Sequence, residues 1–341
     1  MRRRAPFLRR VPGAGGAATL ARVDEIDLFF AGTSASVPTA NRGLPAQLLR
    51  ADGQRLLFDC GEGTQRQLIR SIGLPEIDSI FVTHHHADHC LGIPGLVKTF
   101  ELRGRERPLD IFGPPGTRRL LEGFDISARR TGFPLEITEI AAGDVLEFDG
   151  FRVEPFAVRH RGEAFGYVIA EDERPGRFDP ERARSLGIEE GPGFAALARG
   201  ETVEGVDSGE VVGPVRPGRR IVLSGDTSPC DSVRAAAWEA DLLVHEASFM
   251  AADAERAQLT GHSTAREAAE IAAESSVSML ALVHVSSRYL TREVRAEAQE
   301  VFPNTVIPRD FDDIRIPVAE KGEPELVRDS APPPSGSRGG D

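Results

Sequence analysis

The sequence predicts an α/β protein, a sandwich of β-sheets with helices on the outside. Two observations carry this expectation. Apolar runs of strand length recur along the chain, several of them nearly continuous, as in strands covered on both faces. Strands dominate the first half, and strand–helix alternation closes the second, the pattern of helices packed outside sheets. With 341 residues, 40% of them hydrophobic, the chain can build one large domain or two modest ones.

The strand-like runs are, in order, EIDLFFAG (25–32), AQLLR (46–50), RLLFD (55–59), SIFVT (79–83), LDIFG (109–113), FRVEPFAV (151–158), FGYVIA (165–170), RIVLSG (220–225), DLLVHE (241–246) and LALVHV (280–285). Two stretches read as helices, TAREAAEIAAES (264–275) and TREVRAEAQEVF (291–302), each with Ser or Thr at its cap or first turn. Residues 1–23 hold six arginines with Gly and Ala and no acid, and read as a disordered extension. Residues 321–341, ending APPPSGSRGGD, read as a disordered tail. Between them, 24–320 reads as one domain. It is interrupted at 171–219 by a Gly/Pro-rich, weakly periodic stretch. A loop of that length inside a compact domain is usually an insertion with a purpose, here read as a protruding arm.

Composition narrows the classes of function. No apolar run approaches the roughly 18 residues needed to cross a bilayer, so no membrane role is expected. The N-terminus is basic but lacks the roughly 7–15-residue apolar stretch of a secretory signal. Cys60, Cys90 and Cys230 lie far apart with no C-x-x-C. That excludes a disulfide scaffold and a four-cysteine zinc site, and it suits a reducing, cytoplasmic location. A net charge of −12 argues against nonspecific coating of nucleic acid, although a local patch rather than the sum decides binding.

The chemistry concentrates in SIFVTHHHADHCLG, where an apolar strand runs into His84, His85, His86, Asp88 and His89. Just past a strand, His84 and His86 can point the same way, while alternation turns His85 off that face. Asp88 and His89 follow at a turn and can face an adjacent point. Imidazole and carboxylate together suit Zn²⁺, and two ligand pairs so close favour two metals. A histidine-rich surface loop is the bland alternative. Further candidates stand at strand ends: His160 after FRVEPFAV, Asp226 after RIVLSG and His284 within LALVHV. Each alone is equally a satisfied strand-end residue. Together with the cluster they fit function sited at strand ends, with the Asp226 carboxylate able to bridge both metals.

This constellation resembles the metallo-β-lactamase superfamily, which implies an αββα sandwich. AGTSASVPTANRG (31–43), LLFDCGEGTQRQLIR (56–70), SGDTSPC (224–230), VHEASF (244–249), GHST (261–264) and HVSSRY (284–289) resemble more narrowly the ribonuclease Z family of tRNA 3′-processing endonucleases. So does RPGRFDPERARSLGIEEGP, which is similar to that family's tRNA-binding arm. The resemblance implies two Zn²⁺ per subunit, with Mn²⁺ the alternative. One is held by His84, His86 and His160, the other by Asp88, His89 and His284, and Asp226 bridges them. It implies Asp88 as general base, with His262 as proton donor to the leaving group, oriented by Glu246. The implied reaction uses a two-metal activated hydroxide. It cuts precursor tRNA after the discriminator base, leaving a tRNA 3′-hydroxyl and a trailer 5′-phosphate. A homodimer is implied too, the arm of one subunit clasping tRNA bound at the other's site around the turn Gly191, Pro192 and Gly193.

Three departures stand out. The family usually has leucine where this chain has His85 and glycine at Ala87, and HEASF replaces the commoner HEATF; neither change touches a ligand. Across 171–220, eleven acids face eight arginines, a net −3 in a segment whose implied partner is anionic. Another metallo-β-lactamase-fold hydrolase, a small phosphodiesterase or a lactonase/glyoxalase-type enzyme, would keep every ligand but has no use for the arm.

Overall fold

The computed structural model describes residues 7–11 and 26–328. They form two compact units, Glu171–Arg219 and the chain on either side of it. The larger unit is built on two eight-stranded sheets. The first runs β1 (Leu8–Arg10), β8 (Val145–Glu147), β9 (Phe151–Ala157), β10 (Phe165–Glu171), β11 (Arg220–Leu223), β12 (Leu242–Glu246), β13 (Met279–Val283) and β14 (Thr305–Val306). The second runs β16 (Glu325–Val327), β15 (Asp313–Ile316), β2 (Ile26–Gly32), β3 (Ala46–Ala51), β4 (Gln54–Phe58), β5 (Ser79–Phe81), β6 (Leu109–Gly113) and β7 (Leu135–Glu139).

Alternation along each strand divides its side chains between two cores. In β4, Leu56 and Phe58 join the core between the sheets, which also holds Tyr167, Leu223 and Val244, while Leu57 packs on the outer side. The rings of Phe58, Phe81 and Phe112 stack at 4.9 and 5.0 Å between centroids along the inner face. Outside the second sheet, α1 (Thr64–Ser71), α3 (Gly92–Leu102) and α4 (Thr117–Glu122) bury Leu68, Leu96, Phe100 and Leu121. Outside the first, α7 (Asp231–Ala237), α9 (Ala265–Glu274) and α10 (Thr291–Gln299) bury chiefly alanines, among them Ala268, Ala269 and Ala272. Helices, two sheets and helices again make the α/β sandwich expected from the sequence. Two short helices, α2 (Ala87–Cys90) and α8 (Ala254–Thr260), belong to the loops around the histidines.

Glu171–Arg219 has a small core of its own, with Ala183, Ile188, Leu197, Val206 and Val211 buried and Phe178 and Phe194 packed against them. Its helices α5 (Pro180–Ser185) and α6 (Pro192–Ala198) are too short to leave a periodic signal, which is why the sequence reads as irregular. Each begins with proline, whose missing N–H is no loss at a first turn. At the neck, Glu171 and Arg219 are both buried and paired through two hydrogen bonds of 2.9 and 2.7 Å.

The terminal expectations need correction where they meet described residues. Leu8–Arg10 is a strand, paired in parallel with Val145–Glu147, and Val11 is buried in the core between the sheets. Arg9 reaches from this strand to the second sheet, lying 2.7 Å from Glu136 and 3.6 Å from Asp110. Its arginine-rich composition hides the strand, because here one arginine serves as an inter-sheet tie. Likewise Glu325–Val327 pairs antiparallel with β15, inside the tail expected to be disordered. The rest of both terminal expectations lies outside the described residues.

Burial pushes the Asp110 carboxyl up to about 6, even with Arg9 opposing the shift. The folded chain therefore keeps a proton that the unfolded chain releases near pH 4. The associated stabilisation is complete below about pH 4 and is lost as pH rises through about 6. Asp110→Asn is expected to flatten the fall in Tm across that window; an unchanged pH profile would show the group is not the one titrating.

Candidate metal centre

The site forms where parallel strands end side by side. β4 and β5 are parallel neighbours in one sheet, and β11, β12 and β13 in the other. Asp59, the 84–89 cluster, Asp226, Glu246 and His284 therefore all emerge at carboxyl ends of adjacent strands. The loop bearing His84 is anchored from the opposite sheet, since the Tyr167 hydroxyl donates to the Val82 carbonyl at 2.6 Å. Asp59 and His284 adopt left-handed backbone, with φ of 57° and 53°. Such strain costs roughly 1–3 kcal/mol per residue and persists where the surroundings impose it.

The expected residues converge. One set capable of holding an ion comprises His84, His86, His160 and Asp226; a second comprises Asp88, His89 and His284. Asp226 lies between them. Its Oδ2 is 3.4 Å from His89 Nε2, 3.5 Å from His284 Nε2 and 3.8 Å from His84 Nε2. His160 Nε2 stands 3.2 Å from His86 Nδ1, and His284 Nε2 stands 3.3 Å from Asp88 Oδ2. A third overlapping set joins His262 to Asp226 and His284, so geometry alone also admits His262 as a ligand. His85 belongs to none of these sets and instead meets Thr117 Oγ1 at 2.8 Å.

What the sequence did not single out is the second row that aims these rings. Asp59 accepts from Thr83 N, from the Thr83 hydroxyl and from His89 Nδ1, the last at 2.6 Å. Because the Thr83 hydroxyl donates to Asp59, it accepts from His84 Nδ1 at 3.0 Å. His160 Nδ1 donates to the Gly261 carbonyl at 2.7 Å. Ser248 Oγ donates to Glu246 and accepts from His284 Nδ1 at 2.8 Å. In all four rings Nδ1 carries the proton, so Nε2 presents a lone pair to the centre. Asp59 was findable, since it ends an apolar strand as Asp226 does; Thr83 and Ser248 carry no signal of their own.

Electrostatics follow from this packing. Burial raises the Asp226 carboxyl, but the imidazoles of His284, His89 and His84 outweigh it and hold the group well below the usual carboxylate range. Burial, with His89, His160 and His86 close by, drives His84 towards the neutral form. Glu246 is buried and accepts from Thr227 N and from His262 Nδ1, both at 2.8 Å. Burial lowers His262, yet the charge and hydrogen bond of Glu246 lift it to about 9. Thr264 caps α9 through a capping box with Glu267, fixing the loop that carries His262.

The Beta-lactamase superfamily domain model matches residues 54–178. The ribonuclease Z of Gemmatimonas aurantiaca is 49% identical over 302 residues, covering 86% of this chain and 96% of that protein. Those of Myxococcus xanthus and Methanosarcina acetivorans are 46% and 43% identical, covering 82% and 85% of this chain and 94% and 98% of theirs. Among solved structures, the short form of human tRNase Z aligns with a TM-score of 0.61 at 29% identity, over 86% of this chain and all of that one. The metallo-β-lactamase-fold protein YhfI of Bacillus subtilis aligns at 0.65 with 19% identity, over 86% of this chain and 100% of that one, a likeness of fold. Identity at this level, sustained along nearly the whole of each relative, places the chain in the ribonuclease Z family.

Proposed function

We propose that this chain is a metal-dependent endoribonuclease that removes the 3′ trailer of precursor tRNA after the discriminator base. It leaves a tRNA 3′-hydroxyl and a trailer 5′-phosphate. The observation that carries this reading is the run of ribonuclease Z relatives at 41–49% identity along the chain. The donor set supports a metal requirement. His84 Nε2 and His89 Nε2 are buried without any hydrogen-bond partner, a cost of about 1–3 kcal/mol each unless a cation takes the lone pair. Two Zn²⁺ fit these nitrogen and carboxylate donors, with Mn²⁺ the alternative; His84, His86 and His160 would hold one, Asp88, His89 and His284 the other, and Asp226 both. Such a pair supplies Lewis acidity and lowers the pKa of water towards neutrality.

The chain's own groups do the rest. Asp88, held at Oδ2 by the Ser36 amide at 3.0 Å, takes the proton from the attacking water. As the new P–O bond forms, the bond from phosphorus to the ribose 3′-oxygen breaks. His262 gives its proton to that leaving oxygen, and Glu246 holds the opposite edge of the ring and stabilises the charged form. The arm Glu171–Arg219 grips the tRNA body at Gly191, Pro192 and Gly193, serving the site of a second subunit in a cytoplasmic homodimer. Part of its charge is paired within the arm. Glu181 and Glu190 are tied to Arg184, and Glu201 to Arg199. Arg177 and Arg182 have no acidic partner among the described residues and remain available to phosphate.

Incubation with a 3′-extended precursor tRNA, with and without chelator and with the cut mapped to one nucleotide, tests the whole reading. Four variants test its parts. Asp226→Ala should take metal content by elemental analysis from near two per chain towards zero, whereas His262→Ala should keep both metals and lose roughly 10²–10⁴-fold in turnover. That loss should shrink for a nitrophenyl phosphodiester, whose leaving group needs no proton; a metal lost from His262→Ala makes it a ligand. Asp59→Asn should weaken metal affinity roughly 10–100-fold with circular dichroism unchanged, because a neutral amide with one accepting oxygen replaces the carboxylate that takes the His89 and Thr83 protons. Arg177→Ala combined with Arg182→Ala should raise KM for precursor tRNA and reduce the salt slope of binding by about two. An unaltered slope removes these two arginines from the interface.

A further inference from the structure

Next to the metal centre, on the β6 side, lies a surface the reaction above does not use. β5 and β6 are parallel neighbours, so the loops that follow them leave side by side. His85, flanked in sequence by His84 and His86, turns into the second of these loops. Thr117 Oγ1 donates to the Pro114 carbonyl and therefore accepts from His85 Nε2. Gly116, at φ 102°, lets the loop close on the ring: a Cβ there would stand 3.3 Å from His85 Cε1. With Arg119, Leu120 and Phe124 these residues line a hollow of about 480 Å³. Phe124 is 47% exposed, large for an aromatic ring.

Most acids near the hollow are already engaged. Glu139 is engaged by the amides of Gly116 and Arg118, and Asp125 by Arg130 at 2.7 Å. Arg119 is exposed and has no acidic partner among the described residues, leaving the exposed Glu122 as the nearest uncompensated acid in sequence. An open aromatic face beside a free guanidinium is the pairing that holds single-stranded RNA, the ring stacking on a base and the cation meeting a phosphate.

We propose that this hollow receives an unpaired nucleobase of the RNA trailer, stacked on Phe124, with Arg119 on the neighbouring phosphate. The inference rests on the ribonuclease reading above, which puts a single-stranded trailer at the metal centre. His85 makes the two places continuous, being one residue from ligands on either side. The rival occupant of an exposed apolar face is a second copy of this chain, and the test below separates the two.

The test walks an abasic nucleotide through the first four trailer positions of a precursor tRNA and measures single-turnover cleavage. The wild type should slow roughly tenfold at one position, the loss of one base stack. Phe124→Ala should slow by the same factor on the intact precursor and no longer distinguish the abasic one, while Phe124→Trp should restore the distinction. Arg119→Ala should reduce the salt slope by about one. Trp238→Ala, exposed elsewhere on the same unit, should match the wild type. A Phe124→Ala enzyme that still pays the full abasic penalty overturns the proposal. So does one whose molar mass by light scattering falls while its abasic response persists, since the face then belongs to a subunit contact. A wild type that cuts the precursor but ignores every abasic position sinks this inference alone. A wild type that hydrolyses a nitrophenyl phosphodiester yet leaves the precursor intact sinks the ribonuclease reading with it.

Discussion

The architecture turns on one buried charge. Asp226 is 3% exposed, and a carboxylate so far from water is tolerable only with compensating polar or cationic groups close on several sides. Its neighbours come from both sheets: His84 and His89 from the end of β5, His284 from the end of β13. The centre is therefore complete only where the ends of both sheets meet. The left-handed backbone at His284 and Asp59 is the strain accepted to bring these groups within reach.

A layer of ordinary hydrogen bonds keeps the rings in order around it. Thr83 and Ser248 each give their proton to an acid and so can only accept from a histidine. The tautomers of His84 and His284 are thereby chosen by hydroxyls that belong to none of the candidate ligand sets. Glu246 extends the same logic outward, since it holds Ser248 and His262 at once and links the inner rings to the rim. A change at Glu246 therefore reaches both the electrostatics of the centre and the ring expected to move a proton.

Much of this was legible in the residues, and the limits are physical. A strand such as β3 or β6, covered on both faces, leaves an uninterrupted apolar run, and both were found within a residue of their bounds. α1, TQRQLIRS, buries only Thr64 and Leu68, too little pattern to betray a helix. His84, His86, Asp88 and His89 announce themselves because potential ligands crowd one short segment. Thr83 and Ser248 do not, because a hydroxyl that orients a neighbour has no spacing to detect. β1 was hidden for the opposite reason: arginines usually mark solvated chain, and here Arg9 is set between acidic groups of the second sheet.

That same N-terminal strand has a consequence for how the molecule survives in a crowded solution. Leu8 pairs with Val145, 137 positions later, and β8 pairs on its other side with β9. Without β1 the edge would be β8, itself a strand of only three residues. Once docked, the first sheet ends in strands of three residues at one side and two at the other, among the described residues. Edges that short offer few free amides to recruit a neighbour, which limits edge-to-edge addition of one chain to another.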